Sequence, residues 1–159
     1  FISFVFSFVS EVALPNVNII VGIMIVILFI VLGLIFDMIG VAVTSADEKP
    51  FHSMNSRQVR GADIAVKFKK NADKVASFCN DVIGDICGIV SGSAGTMIAL
   101  SLSNFWHIDR FVLSLLVTAM IASLTIGGKA IGKSYAINKS NLILYEFAKF
   151  ISYVYKPKK

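Results

Sequence analysis

Residues 17 to 44, VNIIVGIMIVILFIVLGLIFDMIGVAVT, form an apolar run broken by a single charge, Asp37. A helix that is apolar all round is either the centre of a large protein or a membrane span, and length and composition favour the second. The run exceeds the roughly 20 residues that cross a bilayer core. The whole chain agrees, with 56% hydrophobic and 16% charged residues, against roughly 25% charged in soluble domains. A membrane protein is therefore expected, and the surrounding residues must be interpreted with lipid as the solvent.

The charges follow that frame. The formal charge of +5 could suit nucleic acid, but the basic residues flank apolar segments and lack the aromatic interleaving of a single-strand binder, so no nucleic-acid partner is expected. Seven of the 15 Lys and Arg (Lys49, Arg57, Arg60, Lys67, Lys69, Lys70, Lys74) follow the first span directly. Such an excess marks the cytoplasmic side, so the first full span runs from outside to inside. Residues 48 to 76 mix these charges with Val59, Ala62, Ile64, Val66 and Phe68, as in short amphipathic helices on an anionic-lipid surface.

Residues 75 to 102 turn apolar again, with Gly84, Gly88 and Gly92 four apart on one helical face where another backbone could approach. SNFWHIDR, 103 to 110, reads as a loop at the outer interface, and 111 to 128 return through the membrane before Lys129, Lys133 and Lys139. The last element spaces Leu142, Tyr145, Phe147, Phe150 and Val154 around Glu146 and Lys149, which predicts an amphipathic helix at the inner surface ahead of a basic tail, 156–159. At the other end, residues 1–13 read as the tail of a hydrophobic segment that starts before Phe1. Cys79 and Cys87 fall about 12 Å apart along one helix at 1.5 Å per residue, too far for a disulfide, and with only His52 and His107 no zinc pattern exists. The expected fold is thus all-α, three transmembrane helices with amphipathic helices at the cytoplasmic interface and a further N-terminal apolar segment.

A charge at mid-membrane costs about 2.5–3.5 kcal/mol on an insertion scale, so Asn80, Asp81 and Asp85 demand a partner or a cavity. Asp81 and Asp85 share a face at i and i+4, and Asn80 adjoins the glycine seam. Asp37, Thr44, Ser45, Asp47 and Glu48 add oxygens at the end of the first span, where Pro50 is expected to interrupt the helix and free backbone carbonyls. Hard oxygen ligands suit Mg²⁺, Ca²⁺ or Na⁺ rather than zinc or copper.

Ser45-Ala46-Asp47-Glu48, followed by Ser53-Met54-Asn55, resembles the S-A-x-E motif and trailing S-L-N of the transmembrane domain shared by CorB/CorC and cyclin-M magnesium transporters. Cys79-Asn80-Asp81 stands where that family has G-N-N, and Gly128-Lys129-Ala130-Ile131-Gly132-Lys133 where it has G-E-x-x-P-K. The resemblance covers residues 17–155, the family's membrane part without the pair of CBS domains that usually follows. It implies a dimer whose polar site between the spans exchanges Mg²⁺ against Na⁺, with Ser45, Glu48, Asn80 and Asp81 as metal ligands. Lys129 replaces the family's Glu with a permanent positive charge; an ion pair with Asp81 or Asp85 could fill the space of a dehydrated cation.

Two functional expectations result. One is a divalent-cation transporter of a cell membrane, the bacterial inner membrane by the resemblance, using those ligands with Asp37, Asp85, Gly128, Lys129 and Lys133 lining the site or pairing charges. The alternative is a non-transporting regulatory or assembly subunit of the same fold, with an internally charge-paired core and an unidentified protein partner. Enzyme chemistry is not expected, because no nucleophile has a neighbouring His and neither HExxH nor a phosphate-binding glycine loop is present.

Overall fold

The computed structural model describes Phe4, Val5, Phe8 and residues 18–106 and 109–154; among these the chain is helical and no strand occurs. In chain order the helices are α1 (Ile19–Ser45), α2 (Glu48–Ser56), α3 (Ala62–Lys70) and α4 (Ala72–Ser77), then a π-helical turn (Phe78–Ile83), α5 (Gly84–Trp106), α6 (Arg110–Asn138) and α7 (Ser140–Val154). Among the described residues three stretches are long and apolar enough to cross a membrane: α1 with 27 residues, Ala72–Trp106 with 35 and α6 with 29. The protein is an all-α, multi-pass membrane protein with short amphipathic helices between its first and second spans and after its third. Within residues 1–13 only Phe4, Val5 and Phe8 are described, all three helical; His107 and the basic tail lie outside the described residues.

The chain divides into two compact units, one formed by the chain up to Ile35 with Val82–Ala130, the other by Phe36–Asp81 with the chain from Ile131 onward. In the first, a small cluster of Val26, Ala94 and Ile98 is supported by Ile25, Ile30, Met97 and Ile121. Close helix approach depends on small residues here, as lipid tails give apolar side chains little reason to leave the bilayer. A methyl at Gly33 would lie 3.1 Å from Cys87 Cβ, one at Gly22 3.4 Å from Ile98 Cγ1, and one at Gly95 would collide with Ile121 Cδ1. Gly88 and Gly92 differ: a methyl on either meets nothing within 4 Å among the described residues. The close glycine contacts of this unit therefore fall at Gly22, Gly33 and Gly95, not at Gly88 or Gly92.

The second unit has a denser core of Val43, Phe51, Ala65, Leu144 and Ala148, all at most 1% exposed. The amphipathic helices make it: α3 packs on α2 and on α7. Gly61 starts α3 with φ +83°, and a Cβ there would lie 2.9 Å from Lys149 Cα, so only glycine suits both the left-handed backbone and the contact with α7. Phe68 and Phe147 stack with ring centroids 5.6 Å apart, and the Arg60 guanidinium lies 3.9 Å over the Tyr153 ring. The buried stripe of α7 runs through Leu144, Ala148 and Ser152, whereas Leu142 and Phe150 from the sequence pattern are exposed. The expected amphipathic helix forms, its buried stripe centred on Leu144, Ala148 and Ser152, with Tyr145 and Phe147 of the expected face partly buried against the same core.

Helix ends also depart from expectation. Pro50 does not interrupt a long helix; α1 already ends at Ser45, and Pro50 sits in the first turn of α2, where a missing N–H deprives the helix of nothing. The start of α2 is held from outside, the Asp47 N–H donating to Asn141 Oδ1 at 2.8 Å. The connection expected over 103–110 is shorter, since α5 continues to Trp106, and α6 runs ten residues past the expected span. Both cysteines are buried free thiols.

Candidate functional site

The last carbonyls of any helix lack intrahelical donors and carry the negative end of its dipole. At the end of α1 an ammonium meets them: Lys69 Nζ, reaching from α3, donates to Thr44 O at 2.8 Å and Val43 O at 3.3 Å. The Thr44 hydroxyl is engaged within its own helix, donating to Val41 O at 2.9 Å. Part of the oxygen cluster expected here is thus occupied by a cation the protein itself supplies.

Asn80 lies in the π-helical turn. Such a turn inserts an extra residue into the helical register and recurs at functional sites. Here Asn80 is packed onto Gly40 of α1 so closely that a methyl at that glycine would collide with Asn80 Oδ1 and lie 2.9 Å from Asn80 Cγ. The Asn80 Oδ1 atom is buried and has no hydrogen-bond partner among the described residues. A buried acceptor left unsatisfied costs about 1–3 kcal/mol, and a small donor or a cation is what this oxygen lacks. Gly40, whose missing side chain makes the approach possible, carries no chemistry and gave no signal in the sequence.

The other expected ligands are distributed nearby in chain but differently exposed. Ser45, Glu48 and Asp81 are exposed, whereas Asp37 is 4% exposed on α1. Glu48 Oε1 is 2.8 Å from His52 Nε2, one turn along α2. That hydrogen bond holds the Glu48 carboxyl below its ordinary value against an opposing desolvation, with the charges of His52, Lys70 and Lys69 adding to the lowering. Among the described residues no three His, Cys, Asp or Glu side chains cluster as a metal would require. A cation here would depend on amide, hydroxyl, backbone and water oxygens.

The first unit has its own polar feature, a cleft of about 530 Å³ among α1, α5 and α6. Asp85, Lys129, Ser91 and Thr125 line it together with Gly84 and Gly88. Ser91 Oγ donates to Cys87 O at 2.8 Å and Thr125 Oγ1 to Ile121 O at 2.8 Å, so each hydroxyl still offers lone pairs to the cleft. A carboxylate and an ammonium on the same walls neutralise each other's field at long range. Gly128 faces Leu34, whose two terminal methyls would lie 3.7 Å from a Cβ added at that glycine. Gly92 and Lys133 are exposed, and Lys133 belongs to the second unit.

Comparison with described protein families, curated proteins and solved structures finds no match. The functional reading therefore rests on these residues. Sequence reasoning singled out Asn80, Glu48 and the Asp85–Lys129 couple, but missed Lys69 and Asn141, whose partners lie 25 and 94 residues away in the chain. Nothing local distinguishes Lys69 from its neighbours Lys67 and Lys70.

Proposed function

We propose that this protein moves a divalent cation, Mg²⁺ first, across a cell membrane in exchange for Na⁺, with Asn80 as a ligand and Ser45, Glu48 and Asp81 completing the oxygen set as helices shift. The observation that carries the reading is the buried, unsatisfied Asn80 Oδ1 against Gly40. An amide oxygen is a hard ligand suited to Mg²⁺, and Asn80 is one of the residues on which the resemblance to the CorB/CorC and cyclin-M transmembrane domain rests. That resemblance also supports a homodimer, and the seven Lys and Arg between Lys49 and Lys74 support placing their side in the cytoplasm.

A second reading has its own observation. Lys69 already occupies the carbonyls at the end of α1, and Lys129 shares its cleft with Asp85. Fixed ammonium groups at both places favour a non-transporting regulatory or assembly subunit that acts through a partner protein.

Thermal unfolding of the detergent-solubilised protein across a Mg²⁺ series, with Na⁺, Ca²⁺ and Mn²⁺ beside it, separates the two. A ligand selective for the folded state raises stability by about 2.7 kcal/mol at 100 times its Kd. Transport predicts saturable Mg²⁺ protection that Asn80→Ala removes and Gly40→Ala weakens by displacing the amide, with Lys129→Glu strengthening it. Absence of protection by any ion in the folded parent overturns the transport reading and leaves the charge-paired one.

A further inference from the structure

A second recess lies wholly within the unit of Phe36–Asp81 and the chain from Ile131. It is a groove of about 310 Å³ with walls of Phe36, Phe68, Phe78, Phe147 and Ile151 and a single charged group, Lys74. Its order along the chain is that of an amphiphile. Lys74 stands near the start of the stretch Ala72–Trp106, Phe78 follows one turn further into that span, and Phe36 lies nine residues, about 13 Å at 1.5 Å per residue, inside the end of α1. The cation is thus at the end that carries the basic helices, and the aromatic walls extend toward the hydrocarbon. Asp73, beside Lys74, is exposed and does not line the groove.

We propose that this groove is a binding site for one anionic phospholipid, an acyl chain lying against the phenylalanines and the headgroup phosphate held by Lys74. The membrane supplies that occupant at high concentration. Acyl chains are no better solvated in an apolar groove than among other lipid tails, so the aromatic walls accept any phospholipid and the selectivity falls to the charge. A Lys near a membrane surface contributes about fivefold in affinity for anionic lipid, the equivalent of ~1 kcal/mol. The site is independent of the cation reading, since neither Asn80 nor Glu48 lines it.

The test uses the full chain, delipidated in detergent, with phosphatidylglycerol or phosphatidylcholine of the same acyl chains added, reading both Tm and bound lipid by native mass spectrometry. Phosphatidylglycerol is expected to raise Tm saturably at one lipid per chain, and phosphatidylcholine to bind about fivefold more weakly. Lys74→Gln should erase that preference, Phe78→Ala should weaken both lipids, and Lys139→Gln should change neither; Lys74, Phe78 and Lys139 are exposed, so the variants retain the fold. Equal binding of the two lipids by the parent, or an undiminished preference in Lys74→Gln, overturns the proposal and returns the effect to the basic surface as a whole. An equal Tm rise with soluble glycerol 3-phosphate overturns it in favour of a free phosphate site, and a peptide or protein retained in the groove in place of lipid overturns it in favour of a protein partner.

Discussion

The unit of α1's first half, α5 and α6 and the unit built on α2, α3 and α7 bury their apolar residues by different physics. In the first, large side chains such as Met24, Phe111, Leu115, Met120 and Leu124 face outward, and helices touch where glycines allow. In the second, Phe51, Leu144 and Val43 are almost completely enclosed. Lipid accepts Leu as readily as a protein interior does, so the spans gain little by hiding it. Water at the interface does not, and there the hydrophobic effect assembles a core as in a soluble protein.

Side-chain truncation should separate the two most sharply. Phe51→Ala removes a ring that is 1% exposed and should destabilise the protein by about 3–5 kcal/mol. Leu116→Ala on α6, exposed by 54%, should change stability by less than ~0.5 kcal/mol. Unfolding by denaturant in mild detergent reads both, and equal losses would remove the distinction between the units.

Gly61→Ala, in the interfacial unit, combines a left-handed backbone with contact against the α7 backbone. Strain of φ alone costs about 1–2 kcal/mol, and the neighbouring main chain cannot yield as a side chain would, so the total loss should exceed that. Among the spans, Gly95→Val should cost about 1–3 kcal/mol through overpacking on Ile121. Gly92→Val, with open space around it, should be neutral or gain a few tenths of a kcal/mol in helix propensity. A large loss at Gly92, measured at a protein concentration where self-association is scored, would place a second chain on that face.

A small, pH-dependent effect is expected at Glu48. Its carboxyl is held below the ordinary 4.5 by His52, so its contribution is complete above the unfolded-state value and is lost as pH falls through the lower folded-state one. The melting temperature of Glu48→Gln should therefore fall slightly short of the parent's at neutral pH and converge on it in acid; a gap that persists below that range would assign the difference to something other than this carboxylate.

The apolar character of residues 17–44, with Asp37 as the one charge, suffices to predict a span, and the mixing of charges with Val59, Ala62, Ile64, Val66 and Phe68 suffices to predict amphipathic helices. The i, i+4 pairing of Asp81 with Asp85 is less reliable. It assumes 3.6 residues per turn, and the π-helical turn Phe78–Ile83 alters that register. Pro50 points to a break in the right neighbourhood but for a reason the backbone does not use. The cap by Lys69 and the brace by Asn141 are invisible in the sequence, since hydrogen bonds across 25 and 94 residues leave no local pattern.

The sequence by itself determined that the described residues are helical, with three helices long and apolar enough to span a membrane, because a backbone in lipid must satisfy its own hydrogen bonds and a long apolar helix does so within one segment. Tertiary structure decided which polar atoms are satisfied and which are not. Asn80 came to rest on Gly40 with its oxygen unpaired, and Lys69 reached the carbonyls of α1. Both outcomes depend on the approach of helices distant in the chain, and a small residue or a flexible side chain at the right place sets that approach without marking the sequence.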